Sequence, residues 1–244
     1  MDIAHWFEPG HVAIVTGGSR GLGRALVQQL LQKGLRVVTD GRDPVALAAA
    51  REEFGSGEVV CIPGDVADRD HVHDLVREAR RRFGRIDLLV NNASTLGKTP
   101  LKPLTEMSWP NFERIFTTNV FAPLHLIQHA LPSLQEQQVA TIVNIVSDAG
   151  VEGYPTWGGY GSSKAALEQL SRVLAAELEG THVRVVVFDP GDMNTQMHRD
   201  AIPDADPATL SEADEVASRL LALIAMTNQP FVRATASSIV EAFA

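Results

Sequence analysis

The chain has 244 residues, 45% of them hydrophobic, enough for the core of one domain spanning residues 1–244. Its net charge of −9 argues against a nucleic-acid partner, and no run of about 18 apolar residues predicts a membrane span. The first residues show no secretion-signal pattern and Cys61 is the single cysteine, so we expect a cytoplasmic protein without internal disulfides. Cys61 lies in an apolar run and is interpreted as a core residue. Five arginines between residues 77 and 85 are interpreted as a solvated helix face.

Strand-like and helix-like segments alternate along the chain. The predicted strands are 12–15, 36–39, 59–62, 86–90, 141–146 and 183–188, and the predicted helices are 22–32, 46–54, 69–82, 111–131 and 160–178. The strands are continuous β-branched runs, which indicates burial on both faces. We therefore predict an α/β fold: a Rossmann-type, doubly wound parallel sheet with helices on both faces. In this fold about 10–95 form the cofactor half and about 96–244 the catalytic and substrate half.

Residues 189–207 form the one sizeable stretch without a periodic pattern. They are polar and contain three prolines, so we do not expect a core element there. A long loop inside a compact domain is often functional, for example as a lid over a site. A disordered segment is the alternative.

A glycine-rich turn joins the first predicted strand to the first predicted helix. Gly17, Gly21 and Gly23 stand where they let the backbone approach a pyrophosphate beside the free N–H groups of the helix. The spacing differs from G-x-G-x-x-G, so an ordinary glycine turn is the alternative. The position of this glycine-rich turn, at the start of an alternating α/β chain, favours a dinucleotide site.

The second predicted strand ends close to Asp40 and Arg42. An acidic residue about 20 positions past the glycines would favour NAD by binding ribose hydroxyls, whereas an arginine would accept the 2′-phosphate of NADP. Arg20, inside the glycine turn, could join Arg42 in a bidentate phosphate clamp. We therefore favour NADP (NADPH) over NAD. The alternative for Arg42 is a surface arginine paired with Asp43.

Tyr160 and Lys164 are four residues apart and therefore share one face of a predicted helix. A lysine beside a phenol favours the phenolate, so we expect Lys164 to lower the pKa of Tyr160. A tyrosine with a lowered pKa can exchange protons near neutral pH. Ser147 follows the strand 141–146 and could hydrogen-bond a substrate oxygen as charge develops. A lone Tyr-x-x-x-Lys pair is usually helix surface, but Ser147 and the glycine turn favour a catalytic site.

Taken in order and spacing, these motifs resemble those of the short-chain dehydrogenase/reductase family over nearly the whole chain. The resemblance is carried by seven segments: 16–23, 65–66, 91–94, 119–120, Ser147, Tyr160 with Lys164, and 190–195. Ser94 departs from the pattern, because the family's Asn-Asn-Ala-Gly segment ends in glycine. The C-terminus also lacks the glycine-rich segment usual in family members that reduce 3-oxoacyl-carrier-protein thioesters, which puts that substrate in doubt.

The resemblance implies a role for each matching residue. Tyr160 would be the general acid–base, Ser147 would orient the carbonyl, Lys164 would hold the nicotinamide ribose, and Asn119 would fix a water in a proton relay to Lys164. No metal site is implied. The cofactor would lie against Gly17, Ser19, Arg20, Gly21, Leu22, Gly23, Arg42, Asp65, Val66, Asn92, Tyr160, Lys164, Pro190, Gly191, Met193 and Thr195.

The predicted function is NAD(P)-dependent reduction of a ketone or aldehyde of a small molecule, or the reverse oxidation, by hydride transfer. A non-catalytic NADP-binding sensor is one alternative, although such proteins often lack the Tyr-x-x-x-Lys pair. A redox-neutral isomerase or epimerase is the other, although extended epimerases have a second lobe. Around the substrate we expect Leu96, Asp148, Tyr154, Trp157, Met193, Met197 and His198.

The predicted helices 111–131 and 160–178 carry apolar residues on more than one face. Members of the resembling family pair these two helices across a two-fold axis, which implies a homodimer or homotetramer. The apolar residues concerned are Phe116, Val120, Phe121, Leu124, Ile127, Ala166, Leu170, Val173 and Leu174.

Overall fold

Seven parallel strands form one sheet in the computed structural model, which describes residues 7–55 and 58–239. The strands are β1 (Val12–Val15), β2 (Arg36–Gly41), β3 (Val59–Pro63), β4 (Leu88–Asn91), β5 (Ala140–Ile145), β6 (Val183–Asp189) and β7 (Phe231–Thr235). Their order in the sheet is β3-β2-β1-β4-β5-β6-β7, so the winding reverses between β1 and β4. This reversal is the topological switch point of a doubly wound fold, and the predicted Rossmann-type sheet is confirmed.

Helices connect the strands and cover both faces of the sheet. They are α1 (Gly21–Gln32), α2 (Pro44–Glu53), α3 (Arg69–Phe83), α4 (Trp109–Phe116), α5 (Ala122–Gln135), α6 (Gly158–Glu177), α7 (Gln196–Ala201) and α8 (Ala213–Met226). The helix predicted over 111–131 is interrupted by a π-helical turn, Thr117–Phe121, between α4 and α5. Such turns insert an extra residue and frequently mark functional sites. No helix in the described ranges is long and apolar enough to cross a bilayer.

Two apolar layers hold the helices to the sheet. Every residue of β1, β5 and β6 is buried, as expected for strands covered on both sides. On one face Leu26 and Leu30 of α1 meet Leu220 of α8 in a common cluster. On the other face Leu75 of α3 and Leu126 of α5 pack together below the sheet. The sheet is therefore a rigid platform, and its strand ends can hold side chains in fixed positions.

The C-terminal third contains elements that the sequence pattern did not predict. Residues 189–207 include the short helix α7, and the segment is tied back by a bridge between Met193 and Ser211. Beyond it lie α8 and the edge strand β7, whose residues are only half-buried. Arg233 interrupts the apolar run of β7 because it pairs with Glu168 at 3.1 Å. A half-exposed edge strand lacks the continuous apolar run of the central strands, so its sequence does not clearly predict a strand.

Cys61 lies in β3 and is half-buried against the core. Burial raises the pKa of its thiol to about 11, against the opposing charge of Arg51. A thiol held protonated is a poor nucleophile, which agrees with its interpretation as a packing residue. Residues 1–6, on which the expected absence of a secretion signal largely rests, and residues 240–244 of the C-terminus lie outside the described residues.

Candidate active site

A cleft of about 640 Å³ runs along the carboxyl ends of the strands. Its walls come from the segments that follow β1, β2, β3, β4 and β6, and from the start of α6. In an open parallel sheet this edge, at the switch point, is where ligands bind. Fourteen of the predicted cofactor residues line it: Gly17, Ser19, Arg20, Gly21, Leu22, Arg42, Asp65, Val66, Asn92, Tyr160, Lys164, Pro190, Met193 and Thr195.

Two predicted cofactor glycines, Gly23 and Gly191, are not in the wall of the cleft. A Cβ on Gly23 would overlap the carbonyl of Gly17 and the side-chain amide of Asn92, so this glycine allows α1 to approach the turn closely. Gly191 has a φ of 67°, and its N–H donates to a carboxylate oxygen of Asp189 at 3.0 Å. Gly23 therefore contributes to the shape of the glycine turn without lining the cleft.

The glycine turn is held in shape by two neighbouring strand ends. Gly17 has a φ of 74°, and its N–H donates to Oδ1 of Asp40 at 2.7 Å. From the other side, the amide of Asn92 donates to the carbonyl of Thr16 at 2.8 Å. The turn is therefore fixed in advance, with its backbone open to the cleft. A fixed backbone cradle at a helix start suits the pyrophosphate of a dinucleotide.

Asp40 is a structural residue of this turn. Its second carboxylate oxygen lies 2.9 Å from Nε2 of His71, and the side chain is buried. Although burial alone would lower it, the Asp40 carboxylate raises the pKa of His71. Both oxygens of Asp40 are thus engaged by the protein, which weighs against the alternative that Asp40 binds ribose hydroxyls and favours NAD.

The two candidate phosphate-binding arginines stand exposed at the mouth of the cleft. Arg20 is paired with Asp43 at 3.4 Å, a loose and exposed ion pair. Asp43 also caps α2 by accepting from the N–H groups of Val45 and Ala46. In the described part of the chain, Arg42 forms no ion pair with Asp43, so the alternative for Arg42 is not supported. Both guanidinium groups flank the end of β2.

Tyr160 and Lys164 lie on the first turns of α6 and face the cleft from a buried position. Lys164 Nζ donates to the carbonyl of Ile145, at the end of β5, at 2.7 Å, and it lies 5.4 Å from the centre of the Tyr160 ring. A polar chain inside the domain fixes α6 against the sheet: Asn91 donates to Asn144 at 2.7 Å, and Asn144 donates to Ser171 of α6 at 2.8 Å. Tyr160 and Lys164 are thus held in position by contacts of α6 with β5 and, through Asn144, with β4.

The expectation that Lys164 lowers the pKa of Tyr160 is wrong for this arrangement. Burial raises the pKa of Tyr160 above its ordinary value, although hydrogen bonding with Ser147 and Ser94 acts in the opposite direction. Burial also lowers the pKa of Lys164 to about 7, against the attraction of Asp189. Burial therefore favours the protonated phenol of Tyr160 over the phenolate.

Ser147 stands at the end of β5 beside Tyr160 and is partly exposed. Its hydroxyl donates to Oδ1 of Asp148 at 2.9 Å and accepts from the N–H of Ala149 at 3.2 Å. The bond to Asp148 is local and exposed, so a stronger acceptor can replace it. A hydroxyl so placed can donate to an oxygen that approaches Tyr160.

Asn119 lies in the π-helical turn and makes four side-chain hydrogen bonds. Its Oδ1 accepts from the Ser94 hydroxyl at 3.1 Å and from the N–H of Thr95 at 2.9 Å. Its Nδ2 donates to the carbonyl of Thr95 at 3.0 Å and to Ser163 of α6 at 2.9 Å. The side chain therefore ties α6 to the loop after β4, and its amide is fully used. The water relay through Asn119 remains a prediction.

Sequence reasoning did not assign a role to Ser94, which lines the cleft and meets both Tyr160 and Asn119. Its departure from the Asn-Asn-Ala-Gly pattern was the available signal. Asp189 was missed as well: it lies buried at the end of β6, and its charge acts on Lys164 and Tyr160. Only the three-dimensional arrangement brings the end of β6 close to α6.

The residues predicted to surround the substrate coincide only in part with those that line the cleft. Leu96, Met193 and Met197 line the cleft, whereas four other predicted residues do not: Asp148, Tyr154, Trp157 and His198. Tyr154 is exposed and donates to Asp148 at 2.9 Å. Trp157 packs edge-on against Tyr160, with ring centres 5.7 Å apart, and so supports the catalytic ring. The side chain of His198 is largely buried, and its Nε2 atom lies 3.4 Å from Oδ1 of Asp192.

Comparison with known proteins gives consistent matches over most of the chain. The family model for short chain dehydrogenase matches residues 11–206. The rhamnolipids biosynthesis 3-oxoacyl-[acyl-carrier-protein] reductase of Pseudomonas aeruginosa is 37% identical over 196 residues, which cover 78% of this chain and 75% of that protein. A benzil reductase, (S)-benzoin forming, of Saccharomyces cerevisiae is 33% identical over 198 residues, which cover 78% of this chain and 74% of the relative.

Solved structures match the fold over nearly the full chain. One from Pseudomonas syringae superposes with a TM-score of 0.86 at 31% identity, covering 93% of this chain and 95% of that one. A short chain dehydrogenase/reductase from Burkholderia phymatum in complex with NAD gives 0.83 at 26% identity, covering 93% and 89%. A Shigella flexneri structure complexed with NADP gives 0.83 at 25% identity, covering 95% and 98%.

Proposed function

Because the chain belongs to the short-chain dehydrogenase/reductase family and is an NAD(P)-dependent oxidoreductase, we propose that it reduces a ketone or aldehyde of a small molecule with NADPH. The observation that carries the proposal is the placement of Tyr160 in the wall of the cleft, with Lys164 one helical turn away and Ser147 hydrogen-bonded to its phenol. A tyrosine hydroxyl that faces a substrate carbonyl can donate the proton that carbonyl reduction requires.

Each residue of this centre has a defined task. When bound, the nicotinamide supplies a hydride to the carbonyl carbon. Tyr160 gives its proton to the carbonyl oxygen, and Ser147 donates a hydrogen bond to the same oxygen as negative charge develops on it. Lys164, held by the carbonyl of Ile145, supports the resulting phenolate and returns a proton to it. The product is the alcohol, and Tyr160 is again a phenol.

The backbone and the charged side chains of the cleft suit a dinucleotide. The glycine turn offers free N–H groups at the start of α1, and Arg20 and Arg42 stand at the end of β2 where a 2′-phosphate would lie. Asp40, the residue that could favour NAD, is engaged with Gly17 and His71. These features support a preference for NADP over NAD.

Replacing Arg42 with alanine should raise the KM for NADPH while leaving the KM for NADH nearly unchanged. The reason is that a guanidinium–phosphate hydrogen bond exists only with the phosphorylated cofactor, and its loss should cost roughly tenfold. Steady-state kinetics with both cofactors would measure this. Arg77→Ala, which removes an exposed arginine of α3, is the control and should change neither KM. Equal affinity of the wild-type protein for NADH and NADPH would contradict the preference.

Substrate assays can separate the proposed function from its alternatives. The panel should include a 3-oxoacyl thioester and an aromatic diketone, because relatives are named for such reactions. Comparing the turnover of the two compounds would show which type of carbonyl the cleft accepts. Net oxidation of NADPH supports the reductase, binding without turnover supports a sensor, and conversion without net redox change supports an isomerase.

We also propose that the chain assembles as a homodimer or homotetramer through the surfaces of α6 and of α5 with the π-helical turn that precedes it. Phe121 is 56% exposed and Val173 is 48% exposed, an apolar exposure that a partner copy would cover. Two residues of the expected interface, Val120 and Ile127, are instead buried inside the chain and cannot contribute. They pack inward because the π-helical turn and α5 bury this face against the domain core.

Light scattering at micromolar concentration should therefore give the mass of a dimer or tetramer. Replacing Phe121 and Val173 together with aspartate should shift that mass towards the monomer, because charges would then be buried in the interface. The substitution V45D, which changes an exposed residue of α2, is the control and should leave the mass unchanged. A monomeric wild-type protein would rule out the assembly.

A further inference from the structure

Three histidines converge in a shallow groove between α3 and α5, on elements other than those that line the cleft. His125 and His129 are one turn apart on α5, and His73 reaches them from the first turns of α3. Each offers one ring nitrogen, and these three nitrogens all lie within 4.8 Å of one another. The ring centres of His73 and His129 are 3.7 Å apart. Among the described residues, these histidines are the group of side chains whose ligand atoms lie close enough together to hold one metal ion.

The separations of the ring nitrogens suit one coordinated ion. Zinc binds imidazole nitrogen at about 2.0–2.1 Å, so two ligands of a tetrahedral ion lie about 3.4 Å apart. The Nε2 atoms of His125 and His129 share a hydrogen bond at 2.8 Å, a separation shorter than this value, and the third nitrogen lies within 4.8 Å of both. An ion would replace the hydrogen bond between His125 and His129, and small rotations of the three rings would bring their nitrogens into one coordination sphere.

The histidine group is open to solvent on one side. A neutral imidazole binds a metal ion through the lone pair of one ring nitrogen. Since His73 is exposed, an ion can reach the group from solvent.

Arginines border the groove, and most of their charge is balanced. Arg77 pairs with Asp74 at 2.6 Å, and Arg81 pairs with Glu78 at 2.7 Å. Arg80 also lines the groove. The arginines on this face of α3 therefore form a solvated helix surface, as the sequence predicted. Two of them, Arg77 and Arg81, are paired with acidic residues of the same helix.

We propose that His73, His125 and His129 form a binding site for a divalent transition-metal ion such as Zn²⁺, with water completing the coordination. An imidazole set of this kind suits zinc, copper and nickel more than calcium or magnesium. The ion would cross-link α3 to α5 and so stabilise the native fold, because the three ligands meet only when the helices are packed. The ligands lie far apart in sequence, which is why no metal site was predicted.

The test is a titration of the full chain, purified without a polyhistidine tag, with zinc chloride. Isothermal calorimetry should show one zinc bound per chain, and the thermal midpoint should rise when zinc is present. His73→Ala and His129→Ala should each weaken binding roughly tenfold or more. His182→Ala, which removes an exposed histidine elsewhere, is the matched control and should bind zinc as the wild type does.

Two results would overturn the proposal: no zinc bound at molar excess, or zinc bound equally well by the His73→Ala and His129→Ala variants. Loss of binding in His129→Ala with retention in His73→Ala would also overturn it, because the site would then have two ligands. If His129→Ala fails to fold by circular dichroism, His129→Gln replaces it with a similar size and no strong metal ligand. The readouts do not depend on the oxidoreductase activity.

Discussion

Replacing Tyr160 with phenylalanine is expected to lower kcat for carbonyl reduction by about 10²–10⁴-fold, the range typical of general acid catalysis. The substitution removes the phenol proton and leaves the ring, which is buried against Trp157 and close to Lys164. The fold and the cleft should therefore persist. Circular dichroism and NADPH titration would establish this before kcat is compared.

The chain contains a matched control for this experiment, because Tyr154 is its other tyrosine. Tyr154 is exposed, lies outside the cleft wall and donates to Asp148. Tyr154→Phe should therefore retain most of the activity. Activity of Tyr160→Phe close to that of the wild type, with NADPH still bound, would mean that Tyr160 is not the acid.

The second large effect is expected for Lys164→Met, which should lower kcat by about 10²-fold or more because it removes the group that returns a proton to Tyr160. Burial lowers the pKa of Lys164 to about 7, so the ammonium form is present below that pH and is lost above it. In the wild type, kcat for reduction should therefore fall as pH rises through about 7. Lys164→Met should have a low kcat without this dependence. An unchanged pH profile in the variant would contradict the role.

The same variant should be more stable than the wild type at neutral pH. Lys164 has a folded-state pKa of about 7, below its ordinary value of 10.5, so the unfolded chain binds the extra proton between these values. Stability from this group is therefore present at high pH and is lost as pH falls towards 7. Lys164→Met removes this pH-dependent destabilisation. The thermal midpoint of the variant should therefore rise at pH 7, with a smaller gain near pH 10. An equal gain at both pH values would show that the buried ammonium is not the cause.

Much of the fold could be predicted because the central strands are buried on both faces. Continuous apolar runs such as Val12–Val15 are typical of strands inside a covered parallel sheet, and the structure has this run there. The weaker predictions fall at the edge of the sheet, where β7 is half-exposed and pairs along one side only. An edge strand does not require apolar residues at every position, so its pattern resembles that of a loop.

The candidate site could be predicted as a set of positions and not as an electrostatic environment. Tyr160 and Lys164 are four residues apart on a helix, so their proximity follows from the sequence alone. Their burial depends on strands and helices distant in the chain, and burial reverses the expected shift in the pKa of Tyr160. The role of Asp40 was likewise hidden, because its partner His71 comes from another element.

The most direct test of the proposed reaction follows the hydride itself. NADPH carrying deuterium at the transferred C4 position would be incubated with the wild-type protein and a carbonyl compound that is turned over. Mass spectrometry of the product should find the deuterium on the new carbinol carbon, with NADP⁺ and alcohol formed in equal amounts. Tyr160→Phe should abolish nearly all of this transfer. Product formed without deuterium, or without net oxidation of NADPH, would contradict the proposed hydride transfer.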